Sequence, residues 1–329
     1  MQWFRHHRLS KILLIAPYSF GYTQYIYEAI AKYDSVSAEI IYLDVPTFSY
    51  KNFFHHLQNV ISKIFFGKNL KKTFVANRIK NQIQVLGKQD LIFIIRPDAL
   101  DNTTLTFLKN ATQKLDAYYW DSTRRFPRMA KIIPFFDTIY SYDKEDVARY
   151  DLKFLTNYIF HSEVKSPKTK YQFFNISTVD YRLPLLEKTT EYISSKGWTH
   201  RIFVYNRSPI ETKHVKLLTT QKNVKESLQL MAACDIVVEI QREEQTGLSF
   251  RAFEAMGLEK KLITTNKDIV NYDFYHPQNI LVLDLEDIQI PDDFVTSPYL
   301  SVDEKILSKY RLENWVKPVF KIASARCFF

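Results

Sequence analysis

Short apolar runs bounded by polar turns recur along this chain, and between them lie stretches whose apolar residues return every three or four positions. Residues 11–16, 38–43, 91–95, 117–120 and 138–141 read as buried strands. A second series follows at 173–176, 201–205, 236–240, 260–266 and 280–284. Helical periodicity is expected from about Thr23, over 183–195 and 224–233, and in one last helix over about 302–321. Strands alternating with helices predict the α/β class, with parallel sheets covered by helices. The polar stretch between Phe160 and Tyr171 separates the two series. The expected organisation is a first domain over 1–160, a linker over 161–171, a second domain over 172–300 and a closing segment over 301–329.

The stretch Gln245-Thr246-Gly247-Leu248-Ser249-Phe250-Arg251-Ala252-Phe253-Glu254 follows the apolar run 236–240 and reads as a turn entering a helix. Gly247 and Ser249 stand where that helix should begin, and a helix start offers free N–H groups and a positive dipole end to a phosphate. Arg251 and Glu254 return to the same face one turn apart. An anion-binding end, a cation and a carboxylate able to accept from ribose hydroxyls suggest a nucleotide site. An ordinary amphipathic helix with Leu248, Phe250, Phe253 and Met256 in the core would give the same pattern.

Composition narrows the chemistry. With 329 residues, 46% hydrophobic and 25% charged, the chain is globular and long enough for two domains. Only six glycines occur, which excludes a GxGxxG or Walker A loop and with it the usual nicotinamide and P-loop chemistries. Cys234 and Cys327 are too few for a disulfide framework or zinc cluster and suit a reducing compartment. The histidines form no HExxH pattern, so no metal and no cofactor is expected. The formal charge of +9 favours an acidic partner.

That charge is concentrated. Residues 45–89 contain no Asp or Glu but carry Lys51, Lys63, Lys68, Lys71, Lys72, Arg78, Lys80 and Lys88. Phe53, Leu57, Ile61, Ile64 and Phe65 recur there at helical spacing, giving either a membrane-surface segment or a helix packed on its own sheet with a solvated basic face. The absence of acids favours an anionic membrane surface as partner of the region 51–88. The tail 323–329 is basic and apolar, so it suits either membrane attachment or a frayed end.

Trp120-Asp121-Ser122 with Arg124-Arg125, then 137–142 and Asp146, form one group of residues. Thr178-Val179-Asp180-Tyr181-Arg182-Leu183-Pro184-Leu185-Leu186 form a second, and 245–266 with Tyr272-Asp273-Phe274-Tyr275 and Asn279-Ile280 a third. With these, the sequence resembles bacterial GT-B-fold glycosyltransferases of lipopolysaccharide and capsular polysaccharide biosynthesis. The resemblance implies two Rossmann-like domains facing across a cleft, a C-terminal helix crossing back to the first domain, a nucleotide-sugar donor on the second domain and an acceptor on the first. It departs from the family where Ser177 replaces a glycine after the first strand of the second domain, and in lacking the paired glutamates of many retaining members.

Under that resemblance the donor candidates are Thr178, Arg182, Asn206, Arg207, Gln245, Thr246, Gly247, Ser249, Arg251 and Glu254, with Glu254 on the ribose. Tyr18, Phe20, Arg124 and Arg125 are the acceptor candidates. Asp121, at a strand's carboxyl end, is the candidate general base, unless it caps the following helix or pairs with Arg124. Asp284-Leu285-Glu286 reads as a turn. The expected function is transfer of a sugar to a glycolipid or oligosaccharide acceptor, in the cytoplasm and peripheral on the inner face of the cytoplasmic membrane. The alternative is a noncatalytic nucleotide-sugar or anionic-lipid binding protein of the same fold. Nucleic-acid binding is not expected, because no helix-turn-helix, RNA-recognition or zinc signature accompanies the basic region.

Overall fold

The computed structural model describes residues 9–49, 51–66, 70–160 and 168–322. The expected linker therefore lies outside the described residues over 161–167, as do the tail 323–329, Lys68 and the side chains of Lys63, Ile64 and Phe65. The chain divides into two compact units, Met1–Leu155 with Val316–Phe329, and Thr156–Trp315. No helix among the described residues is long and apolar enough to cross a membrane.

The first unit runs β1 (Ser10–Ala16), α1 (Tyr22–Ala31), β2 (Val36–Tyr42), α2 (Phe53–Phe66), α3 (Leu70–Leu86) and β3 (Gln89–Ile95). It continues through α4 (Asn102–Asn110), β4 (Thr112–Tyr119), α5 (Arg128–Lys131), β5 (Thr138–Ser141), α6 (Lys144–Tyr150) and β6 (Lys153–Phe154). The second unit begins β7 (Tyr171–Thr178), α7 (Leu183–Ser195), β8 (His200–Tyr205), β9 (Lys216–Leu218), α8 (Val224–Ala232) and β10 (Cys234–Glu239). Then come α9 (Phe250–Gly257), β11 (Lys261–Thr264), β12 (Ile280–Val282), α10 (Asp292–Thr296), α11 (Glu304–Tyr310) and α12 (Leu312–Phe320).

Both six-stranded sheets are parallel throughout, in the orders β2-β1-β3-β4-β5-β6 and β12-β11-β10-β7-β8-β9. Read from its far edge, the second sheet has the Rossmann order, and the first has the doubly wound order that begins 2-1-3. Each therefore reverses its winding at one place, between β1 and β3 and between β7 and β10. Helices cover both faces of such sheets, so the central strands are near-continuous apolar runs. Ile12 to Ala16 and Ile92 to Ile95 are accordingly buried on both faces.

The departures from expectation have local causes. The edge strands β6 and β9 are two and three residues long, too short to leave a periodic signal. The strand ending at Tyr119 starts at Thr112, earlier than its apolar run, because the run is interrupted by Asp116, which is buried within the strand and pairs through one oxygen with Lys114. The expected helix over 302–321 is two helices. At the break Arg311 is extended, and Ile159 takes up the local backbone: its N–H donates to the Tyr310 carbonyl at 2.7 Å and its carbonyl accepts from Leu312 N–H at 2.8 Å. In the first unit Phe320 packs on Phe93, ring centroids 4.8 Å apart, which seats the end of α12 on β3.

Candidate functional site

The winding reversal of the second sheet forms the first candidate. Asn175 is buried in β7 and its amide donates to the Val238 carbonyl of β10 at 2.7 Å, which ties the two strands just below their carboxyl ends. Above that tie opens a cavity of ≈ 110 Å³ lined by the last residues of β7, by Asp180 and Arg182, by Glu239, and by Ser249 and Arg251. Ligands of open α/β sheets bind at such a reversal.

Ser249 is the N-cap of α9. Its hydroxyl accepts from Arg251 N–H at 3.1 Å, so the helix's positive end borders the cavity. The Arg251 side chain pairs with Glu254 and donates through Nη2 to the Ile176 carbonyl at 3.0 Å. Arg182 is held in the same way from the other side. It chelates Asp180 through Nε at 2.9 Å and Nη2 at 2.8 Å, and donates through Nη1 to the Ile240 carbonyl at 2.6 Å. Arg242 joins the same carboxylate at 2.6 Å. Burial works against the Asp180 charge, but the hydrogen bonds and charge of Arg182, with the charge of Arg242, hold its carboxyl below the ordinary aspartate range. Two arginines are thus preset at the cavity by partners that fix their planes, which suits a diphosphate.

The expected donor residues do not all meet here. Thr178, Arg182, Ser249 and Arg251 line the cavity. Gln245 and Thr246 line a neighbouring depression, together with Arg182. Gly247 is buried in the loop, its carbonyl accepting from Gln241 Nε2 at 2.8 Å, so it is part of the loop's anchorage and the N-cap, Ser249, lies two residues on. Glu254 departs from its expected place on a ribose: its side chain has no exposed surface and its carboxylate is held against Arg251. Asn206 bonds to the Ser208 carbonyl at 2.8 Å and Arg207 is exposed, both beyond β8 and outside the cavity lining. Ser177, expected just past a strand end, lies within β7.

In the first unit, Asp121 follows β4 and is 8% exposed. Arg96, at the end of β3, donates to Asp121 Oδ2 at 2.8 Å, and Arg125 to Oδ1 at 2.6 Å. The partner is thus Arg125 and Arg96 rather than Arg124, which faces Glu145 at 3.7 Å. Nor does Asp121 cap a helix, since α5 starts only at Arg128. Arg96 also chelates Asp98 at 2.9 and 3.0 Å and lies over the Phe126 ring at 3.9 Å. Its backbone is left-handed, φ 61°, an uncommon state for a residue with a side chain. Asp146, buried below, accepts from the Thr123 backbone at 2.7 Å and fixes the loop that carries Asp121. Tyr18 and Phe20 lie in the loop after β1, both about two-fifths exposed, and Tyr18 packs edge-on against Tyr42.

Several site residues escaped the sequence reading. Asp180 and Arg242 sit in loops after strands, where charged residues are ordinary surface. Glu239 ends an apolar strand yet is buried at the cavity, accepting from the Thr264 hydroxyl at 2.8 Å. For Arg96, a charge at a strand's carboxyl end before Pro97 was the available signal.

No family model matches the sequence, nor does any curated protein sequence. Solved structures are similar to it along nearly its whole length. They include a glycosyltransferase from Rickettsia africae, at 10% identity over 95% of this chain and 97% of that one, TM-score 0.55. Sucrose-phosphate synthase from Thermosynechococcus elongatus is similar at 10% identity over 95% and 98%, TM-score 0.59. An alpha-glucosyltransferase in complex with UDP and a 13-mer DNA is similar at 11% identity over 94% and 95%, TM-score 0.55. At these identities the likeness is one of fold, and the fold is GT-B, built from two Rossmann-like units.

Proposed function

We propose that this chain is a nucleotide-sugar-dependent glycosyltransferase. In this reading it extends a glycolipid or polysaccharide-precursor acceptor in bacterial lipopolysaccharide or capsule synthesis, working in the cytoplasm at the inner face of the cytoplasmic membrane. The observation that carries the reading is the cavity between β7 and β10, where Arg182 and Arg251 are both preset beside the N-terminus of α9. Glycosyl transfer breaks the bond between the anomeric carbon and the diphosphate oxygen and forms one to the acceptor hydroxyl. The leaving nucleoside diphosphate gains charge, which two guanidinium groups and a helix N-terminus stabilise. The acceptor proton passes to a base, and Asp121 is the assigned group. Solved structures of similar fold include one with UDP bound, which supports a nucleotide sugar as donor.

A second reading, a noncatalytic nucleotide-sugar or anionic-lipid binding protein, is favoured by one observation: both oxygens of Asp121 are occupied by arginines. A thermal-shift series with UDP, GDP, ADP and CMP sugars tests the donor site, because a ligand at about a hundredfold its Kd adds about 2.7 kcal/mol of stability. No shift with any of them would remove the basis of the glycosyltransferase and of the nucleotide-sugar binder, leaving only lipid binding. Sugar transfer or donor hydrolysis by the binding nucleotide sugar separates the enzyme from the binder.

A further inference from the structure

Helix α2 reverses the usual arrangement of a helix on a water-soluble protein, which turns its apolar stripe inward. Its polar Asn59 is buried, 1% exposed, and accepts from Leu70 N–H at 2.8 Å, which fixes the start of α3. Phe53 is 73% exposed and Phe54 76%, and Leu57, Val60 and Ile61 are exposed with them. At 3.6 residues per turn these five fall within a sector of about 120°, with Asn59 on the opposite side. Five of the fifteen exposed large apolar side chains of the described residues are on this one helix, so the stripe is not the scatter of single apolar residues that any surface carries.

Charge identifies what covers the stripe. The segment 45–89 has no carboxylate, and the exposed Lys71 and Lys72 open the next helix. A second copy of this chain would bring two such segments together with no acid to pair them. A phospholipid surface supplies both requirements at once, acyl chains for the rings and phosphates for the lysines.

We propose that α2 lies in the plane of an anionic phospholipid bilayer, with Phe53, Phe54, Leu57 and Ile61 among the acyl chains and the exposed Lys51, Lys71 and Lys72 at the headgroups. This rests on the membrane-peripheral part of the reading above and names the element that makes the contact. The apolar face and the charge act together, so neither a neutral bilayer nor a polyanion in solution replaces the anionic membrane.

The test is co-sedimentation of the full chain with vesicles of phosphatidylcholine alone and of phosphatidylcholine mixed with phosphatidylglycerol. The expected result is binding to the mixed vesicles, weaker by about tenfold or more on neutral vesicles or in high salt. Phe53→Ser with Phe54→Ser should weaken binding to mixed vesicles by about tenfold or more, and Phe53→Trp with Phe54→Trp should retain it and show a blue-shifted emission on vesicles. The serine variant should melt with the wild type, since both rings are exposed. A wild type that ignores mixed vesicles, or a serine variant that binds them equally, overturns the proposal. So does a serine variant that melts early or converts a dimer to a monomer in sedimentation velocity, because the stripe would then be packing or a self-association face. Thermal shifts by nucleotide sugars without vesicles are read separately, so loss of the donor reading and loss of this one are distinguishable.

Discussion

Glu254 holds Arg251 by a carboxylate–guanidinium pair across one turn of α9, and the carboxylate side chain is wholly buried. The pair gives the arginine an orientation toward β7, where Nη2 meets the Ile176 carbonyl. Removing one member of a buried pair leaves the other charge without its counter-ion. Glu254→Gln should therefore lower the unfolding free energy by about 3 kcal/mol in urea titration. Arg251→Ala should weaken nucleoside diphosphate binding by about tenfold to a hundredfold in calorimetry, the worth of one or two charge-assisted hydrogen bonds. Equal donor affinity in Arg251→Ala would remove Arg251 from the diphosphate site.

The Asp180 carboxylate is expected to give the second unit an acid limit. Burial raises its pKa, the hydrogen bonds and charge of Arg182 and the charge of Arg242 lower it, and the sum lies below the ordinary value. A depressed carboxyl contributes stability that is fully present above its unfolded pKa, about 3.9, and is lost as pH falls through the folded value. The stability difference between wild type and Asp180→Asn should accordingly stay constant near neutrality and close below about pH 4. A difference that persists undiminished at lower pH would mean that the shape of Asp180, and not its charge, positions Arg182.

Strand periodicity made the fold legible. The buried runs around Leu13, Phe93, Phe173 and Val238 lie in central strands, as expected, because a two-sided burial writes itself as an unbroken apolar run. Ser249 was legible as the start of a helix for a similar reason: capping chemistry is local in sequence. Glu254 was misread because spacing assigns it a face but not a depth, and the face proved to be interior. The Arg96–Asp121 contact spans twenty-five positions between adjacent strand ends, so nothing local marks it. The α2 stripe was visible as periodicity, but its outward direction depends on Asn59 anchoring the opposite face to Leu70, which is tertiary information.

Cys234 should be chemically silent in the folded protein. The thiol opens β10 with no exposed surface; burial pushes its pKa up to about 12, and the opposing charge of Lys260 does not restore it. A neutral, enclosed thiol is a poor nucleophile. Iodoacetamide at mildly alkaline pH should leave the Cys234 peptide unmodified by mass spectrometry, and added denaturant should raise its labelling rate by about a hundredfold or more. Ready labelling without denaturant would mean that β10 opens locally.

The decisive measurements concern Asp121. An aspartate whose two oxygens are engaged by Arg96 and Arg125 can accept a proton only if one of those bonds gives way as the acceptor hydroxyl arrives. If Asp121 is the base, Asp121→Asn should lower kcat by about a hundredfold or more while leaving the donor KM near its original value, because the proposed donor site lies on the other unit. Arg125→Gln offers a sharper readout. It removes one cation that favours the ionised carboxylate, so the acid limb of the pH–rate profile should move to higher pH. A purely structural Asp121 would lose stability in both variants without moving that limb. Near-normal turnover in Asp121→Asn with an intact fold would reassign the Arg96–Asp121–Arg125 trio to holding the β3 and β4 ends together, and the proton acceptor would have to be sought elsewhere.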